Sequence, residues 1–319
     1  MIKLTHIIAI LIFIFLACAS LMVGVAHFSI ADLLTGDPQA INILTTSRLP
    51  RLLAIMLAGA GLSIAGLIMQ QIVQNRFAAP STTGTIDWAM FGYMVSLLFF
   101  SDANSWMHLF IIFSFSVLGT LIFIRFLQRL KFKNTVMVPL IGIMYGNVVS
   151  SMTIFIAYKY DLVQSLNSWT VANFASVLQG NYESLYIALP TSILAYAYAN
   201  RFSAASIGES FAKNIGVNYQ RIVLIGVILV AVLSSSVVMV VGMIPFLGLI
   251  VPNIVSLFIG DNMRRNLPWT AYTGVILVLG CDMLGRLIIF PYEIPISIII
   301  SILGGTVFIY LILKDKSNG

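Results

Sequence analysis

Arg48-Leu-Pro50-Arg51-Leu-Leu-Ala-Ile-Met-Leu-Ala58-Gly59-Ala-Gly61-Leu-Ser-Ile-Ala65-Gly66-Leu-Ile-Met-Gln70-Gln71-Ile72 is the stretch on which the fold turns. Its apolar part, 50 to 72, matches the roughly 20 residues that a helix needs to cross hydrocarbon. Pro50 suits the first turn of such a helix, where a missing N–H is no loss. Ala58, Gly59, Gly61, Ala65 and Gly66 remove bulk and let a neighbouring helix come close. Nine more apolar segments lie around it, at 4 to 26, 85 to 101, 107 to 124, 136 to 157, 184 to 200, 221 to 241, 245 to 259, 268 to 289 and 294 to 313. The expected fold is all-α and polytopic, with about ten transmembrane helices in a single transmembrane domain over residues 1–319.

Composition agrees. The chain is 60% hydrophobic and 9% charged, whereas soluble domains carry about 25% charged residues. Ten spans leave little for loops, so a large soluble domain is excluded. The net charge of +6 comes from basic residues that sit singly or in small groups between apolar runs, a pattern that orients a membrane protein and does not suit nucleic acid. Ala17-Cys18-Ala19 resembles a cleavage site, but the apolar run continues past it, and the segment is read as a retained span. Cys18 and Cys281 both lie in apolar stretches and support neither a disulfide framework nor a metal site. The shortest segment, 245 to 259, is also the most interrupted, with Gly242, Pro245, Gly248 and Pro252 close together; broken backbone at membrane depth must be buried or line a cavity.

With the N-terminus inside, all basic residues but Arg48, Arg51, Lys159 and Arg286 become cytoplasmic, and so do both termini. Those outward arginines have two readings. Arg48 and Arg51 present cations at the outer surface, and Arg286 stands one turn after Asp282, where an i,i+4 ion pair softens the cost of both charges. Snorkelling at the interface explains them; so does docking of acidic side chains from an external protein, which guanidinium groups bind in bidentate fashion.

At the opposite face, Ser206 and Glu209 have capping-box spacing and Gly216 is placed as a stop, which predicts a short helix between them. Glu209 and Lys213 form an i,i+4 pair on it. It is either an interfacial helix or a lever inserted into a cytoplasmic partner. Polar groups also interrupt spans. Gln70, Gln71 and Gln74 end the second, as interhelical bonds or gate residues; Asn147, Ser150, Ser151 and Thr153 spread too widely on the fifth for one bonded seam, which favours path lining.

Several chemistries are missing. There is no G-x-x-x-x-G-K-[ST] phosphate loop, so ATP energy must come from another subunit. His6, His27 and His108 are scattered, without metal-ligand spacing, and no cofactor or metal site is expected. Asp282 is the clearest embedded carboxylate and lacks an acid–base partner, which disfavours the alternative of a multi-span enzyme acting on lipid.

Four blocks in this order and spacing resemble the permeases of type II ABC importers, which carry iron-siderophores, haem or cobalamin: Arg48 to Gly66; Asn75-Arg-Phe-Ala-Ala-Pro80; Gly208-Glu209 through Gly216; and Gly242-Met-Ile-Pro-Phe-Leu-Gly-Leu-Ile-Val-Pro252. Asp282-Met-Leu-Gly-Arg286, Glu293-Ile-Pro295 and Gly304-Gly305 add to them. The resemblance implies a bacterial cell-membrane importer. In it a second permease, identical or related, would stand beside this chain, with two cytoplasmic ATPases holding ATP and Mg and an extracellular or lipoprotein solute-binding protein. It gives Arg48, Arg51 and Arg286 to docking of that protein. Ser206, Gly208, Glu209, Lys213 and Gly216, within coupling helices at about 203–219, go to ATPase coupling. The gate goes to the fifth span and an outer segment at about 162–181 that includes Trp169 and Asn173. Pro252-Asn253 and Pro80-Ser-Thr-Thr-Gly-Thr-Ile-Asp-Trp88 depart from the common pattern, and with Ile289-Phe-Pro-Tyr-Glu293 they look most like Gram-positive permeases for catecholate chelates such as petrobactin. A cobalamin or haem permease is the alternative within the same family.

Overall fold

A computed structural model describes residues 2–24, 36–129, 137–214, 216 and 218–317; its regular elements among these are helices. In chain order they are α1 Ile2–Met22, α2 Pro38–Val73, α3 Thr85–Phe99, α4 Ser105–Arg129, α5 Met137–Lys159, α6 Val163–Thr170, α7 Ala188–Ala197, α8 Ala199–Ser206, α9 Glu209–Asn214, α10 Tyr219–Val240, α11 Leu247–Ile259, α12 Met263–Leu287 and α13 Ile296–Ser317. Each expected apolar segment carries helix in its described part. Helices α1, α2, α4, α5, α10 and α12 are long and apolar enough to cross a membrane, and α3, α11 and part of α13 are shorter apolar helices. The sixth segment is not one clean span. A 3-10 turn at Glu183–Ile187 leads into α7, which breaks before α8.

Helix α2 is the axis of the bundle, packed by α10, α11 and α12, and its small residues explain why. A Cβ at Gly59 would sit 2.8 Å from the carbonyl oxygen of Gly274 on α12, so the two backbones touch where only hydrogen fits. A Cβ at Gly66 would run into the carbonyl of Gly248 on α11. Pro252 contributes to that crossing: with no N–H, it has nothing to give the Gly248 carbonyl one turn back, and that oxygen faces the Cα of Gly66 instead.

The start of α2 departs from expectation. The helix begins at Pro38, twelve residues before Pro50, and passes through a π turn at Leu44–Arg48. Pro50 has no N–H for the carbonyl of Thr46, and the N–H of Gln179 takes that oxygen at 2.9 Å. The proline that suggested a helix start therefore marks the point where the 162–181 segment is tied to the axis.

A second layer is held by hydroxyls. Thr85 on α3 bonds Thr120 on α4 at 2.8 Å, Thr83 joins at 3.1 Å, and Ser116 donates to the Thr85 carbonyl. All four are buried, and such bonds between helices contribute about 0.6 kcal/mol each in hydrocarbon.

Candidate functional site

At the end of the bundle that carries Arg51, three arginines are drawn inward. Arg51 Nη2 donates to Asp282 Oδ1 at 2.7 Å and to Glu293 Oε2 at 2.9 Å, while Nη1 reaches Glu293 Oε1 at 3.0 Å, a bidentate grip. Asp282 Oδ2 lies 2.5 Å from Arg286 Nη2, the expected i,i+4 ion pair, without hydrogen-bond alignment. Arg286 also closes the end of α1, donating to the carbonyls of Ser20 and Val23 and to Ser20 Oγ at 2.7 Å. Arg48 Nη1 donates to the carbonyls of Leu21 and Val23. Arg48 and Arg286 are only 9% and 6% exposed. This corrects the expectation of cations presented at the surface: burying a guanidinium demands carboxylates and carbonyls, and α1, α12 and the turn before α13 supply them. Glu293 is the partner that sequence reasoning missed. The available signal was an acid seven residues after Arg286, one of the outward arginines.

Beside this rim, the 162–181 segment forms the short helix α6 and then clamps the loop between α10 and α11. The N–H of Asn173 donates to the Val241 carbonyl at 3.0 Å, and the N–H of Met243 donates to the Trp169 carbonyl at 3.1 Å. Gly242 makes the turn between them with φ +98°, and a Cβ there would lie 2.9 Å from the Trp169 oxygen. Trp169 stacks on Tyr93 of α3 with ring centroids 3.3 Å apart. Ser168, Trp169, Val171, Asn173, Ser176 and residues 238–242 line a cleft of about 450 Å³.

Helix α5 presents an open face. Asn147 and Ser151, one turn apart, are exposed, with Ser150 half-exposed beside them. The Ser151 hydroxyl donates to its own helix at the Asn147 carbonyl. Thr153 does not belong to this face: it is buried and bonds the Val149 carbonyl, because it stands about 200° around the helix from Ser151. Around the polar groups stand Met144, Met152 and Phe155, all more than half exposed.

The glutamines of α2 are divided. Gln70 Nε2 donates to the Arg76 carbonyl at 2.9 Å, the same oxygen that Asn253 of α11 takes at 2.8 Å, and Gln74 Nε2 donates to the Ala205 carbonyl at 3.2 Å. Their amides join helices, so Gln70 and Gln74 pack where a gate was one reading, and half-exposed Gln71 alone of the three makes no described side-chain bond.

At the Glu209 end, the capping box does not form. Helix α8 runs through Ser206, whose hydroxyl donates back to the Ser203 carbonyl at 2.8 Å. Gly208, with φ +124°, makes the break, and its carbonyl accepts the first bond of α9 from the N–H of Ala212. The short helix is thus Glu209–Asn214, with Gly216 left-handed after it at φ +76°. The backbone of Lys213 belongs to that helix; its side chain, and with it the Glu209–Lys213 pair, lies outside the described residues. Among the described residues no three His, Cys, Asp or Glu side chains gather into a metal-holding group.

Among the described residues, polar side chains thus gather at the arginine rim, on the open face of α5 and where α2 meets α8. Comparisons with known proteins give the family. The family model of the FecCD transport family matches residues 11–314. The petrobactin import system permease protein YclN of Bacillus subtilis is 47% identical over 96% of this chain and 97% of its own length. The petrobactin import system permease protein FatD of Bacillus anthracis is 41% identical over 97% of this chain and 91% of its own. Among solved structures, an inward-facing metal-chelate type ABC transporter superposes with a TM-score of 0.77 at 26% identity, covering 96% of this chain and 97% of that one. The fold is that of an ABC transporter permease, an all-α multi-pass membrane protein. With its blocks in order from the arginine rim to the last helix, the chain belongs to the FecCD transport family.

Proposed function

We propose that this chain is the membrane-spanning permease subunit of an importer that brings an iron(III)-siderophore of the catecholate, petrobactin-like type into the bacterial cytoplasm. The observation that carries the substrate is the near full-length likeness to two petrobactin permeases, at 47% and 41% identity. The Arg51 end faces outward and the Glu209 end faces the cytoplasm, with both termini inside. A second permease packs beside the open face of α5, and Asn147, Ser150 and Ser151 wet the path between the two copies. Separate ATPases supply the energy and receive α9, so that their closure moves α8 and α9 against α2 through Gln74. Each partner favours one conformation over another, which is all that coupling requires.

A solute-binding protein docks over the rim of Arg48, Arg51 and Arg286. Since Asp282 and Glu293 already hold Arg51, a docking carboxylate there exchanges with an internal one.

Uptake of radiolabelled ferric catecholate siderophore by cells with and without the gene tests the assignment, with labelled cobalamin and haem as controls. Loss of the siderophore signal alone supports it; loss of cobalamin or haem uptake with siderophore uptake intact contradicts the substrate. A separate Glu209→Lys variant should retain ATP hydrolysis and lose about tenfold or more of uptake, and wild-type uptake in it would contradict the lever.

A further inference from the structure

A large cleft lies away from the path, the rim and the coupling helices. It opens where the starts of α1 and α12 meet the end of α11, has a volume of about 780 Å³, and lies within the roughly 300–1,000 Å³ range of ligand clefts. Its wall is mostly apolar, from Ile254, Phe258, Pro268 and Trp269, and Arg264 and Arg265 stand at its mouth. Both arginines are exposed, and among the described residues neither guanidinium has a hydrogen-bond or ion-pair partner. Asp261, the nearest acid in sequence, pairs with Arg76 at 2.8 Å. The first backbone N–H groups of α12 are not free either, because Asn262 Oδ1 takes those of Arg264 and Arg265 at 3.1 and 3.4 Å. The positive charge at the mouth is therefore carried by the two side chains, and among the described residues no acid neutralises it.

Trp269 occupies the corner of the cleft, edge-on to His6 of α1 with centroids 5.3 Å apart, and a second apolar hollow of about 240 Å³ continues along α1 past Ala9, Ile10 and Phe13. Helix α1 itself is almost unburied, with 6% of its apolar window covered by the rest of the chain. A cationic mouth, an interfacial tryptophan and an apolar track on an uncovered helix match the parts of a phospholipid: phosphate, glycerol ester region and acyl chain.

We infer that the cleft between α1, α11 and α12 holds an anionic phospholipid of the cytoplasmic leaflet, its phosphate on Arg264 and Arg265 and an acyl chain along Trp269 and α1. The leaflet rests on the orientation given above; the lipid chemistry rests on the cleft alone. Each arginine near a membrane surface adds about 1 kcal/mol of attraction to anionic lipid, so the pair favours it over a zwitterionic lipid by roughly 30-fold.

The test uses the full-length chain purified with its partner subunits in mild detergent, titrated with phosphatidylglycerol or phosphatidylcholine and read by native mass spectrometry. Phosphatidylglycerol should bind at least tenfold more tightly, and the Arg264→Gln, Arg265→Gln double variant should lose that preference, whereas Arg125→Gln with Arg129→Gln should keep it. Quenching of Trp269 by phosphatidylglycerol brominated on its acyl chain, taken as the difference from Trp269→Phe, should exceed quenching by the brominated choline lipid. Equal binding of the two lipids, an unaffected double variant, or displacement of the lipid by inorganic phosphate would overturn the inference. Transport is not part of the readout, so failure here and failure of the importer reading remain distinct.

Discussion

Helices α2 and α5 are both apolar and both long enough to cross a bilayer, yet 78% of one apolar stretch is buried in the chain and 28% of the other. Hydropathy alone puts both in the membrane. What separates them is the placement of small and polar residues. Helix α2 carries Gly59 and Gly66 where the backbones of α12 and α11 cross it, and its polar ends are tied inward through Arg51, Gln70 and Gln74. Helix α5 keeps its bulk outward, in Met144, Met152 and Phe155, and sets Asn147 and Ser151 on that same side. Lipid gains nothing from an exposed asparagine, so a face of that mixture suits a protein partner and a wet path. One helix is scaffold; the other is the open face to which the proposed path is assigned.

The largest effect should come from attacking the scaffold. Gly66→Leu forces a side chain into the carbonyl of Gly248; overpacking typically costs about 1–3 kcal/mol, and here the cost should exceed that range because the obstacle is backbone that cannot swing away. Size-exclusion chromatography of detergent extracts should show no monodisperse protein. A normal peak at wild-type yield would mean that α2 and α11 are not so closely apposed. Next in size is Arg51→Gln, which leaves Glu293 without its cation and Asp282 with Arg286 alone. Breaking a buried pair costs about 3–5 kcal/mol, and Glu293 is a quarter exposed, so a loss near the lower figure should appear as a fall in thermal-unfolding midpoint.

On α5 the same measurements should barely move. Asn147→Leu with Ser151→Leu is expected to leave the unfolding midpoint within what a change of about 0.5 kcal/mol produces, yet to lower siderophore uptake about tenfold. A large drop in stability with uptake retained would reverse the assignment of the two helices. The smallest effect belongs to Gly280→Ala on α12, where an added Cβ meets nothing within 4 Å; a gain of at most about 0.5–1 kcal/mol is expected from helix propensity.

Much of this arrangement was legible in the sequence because apolar runs and glycines report directly on burial and close approach. The segment read at 50 to 72 corresponds to Leu49–Val73 within α2, and the interrupted stretch around Pro245 and Pro252 is where backbone from four elements converges. The π turn ahead of Pro50 was not legible, because the oxygen that Pro50 leaves free finds its donor in Gln179, far away in sequence. Ser206 misled for a related reason: local spacing proposes a cap, but α8 continues through it and Gly208 makes the break. The Arg286–Asp282 pair was legible as an i,i+4 spacing; the burial of Arg48 and Arg51 was not, since the Leu21 and Val23 carbonyls and Glu293 that hold them lie far off in the chain.

The most direct test of the central claim is transport in a closed system. The permease should be co-reconstituted into liposomes with its ATPase and the proposed solute-binding protein, and radiolabelled ferric petrobactin counted on the far side of the membrane. Accumulation that requires ATP and this chain, and that labelled cobalamin does not show, is the predicted result. ATP hydrolysis stimulated by the loaded binding protein without any movement of the chelate, or movement of cobalamin in its place, would contradict the account.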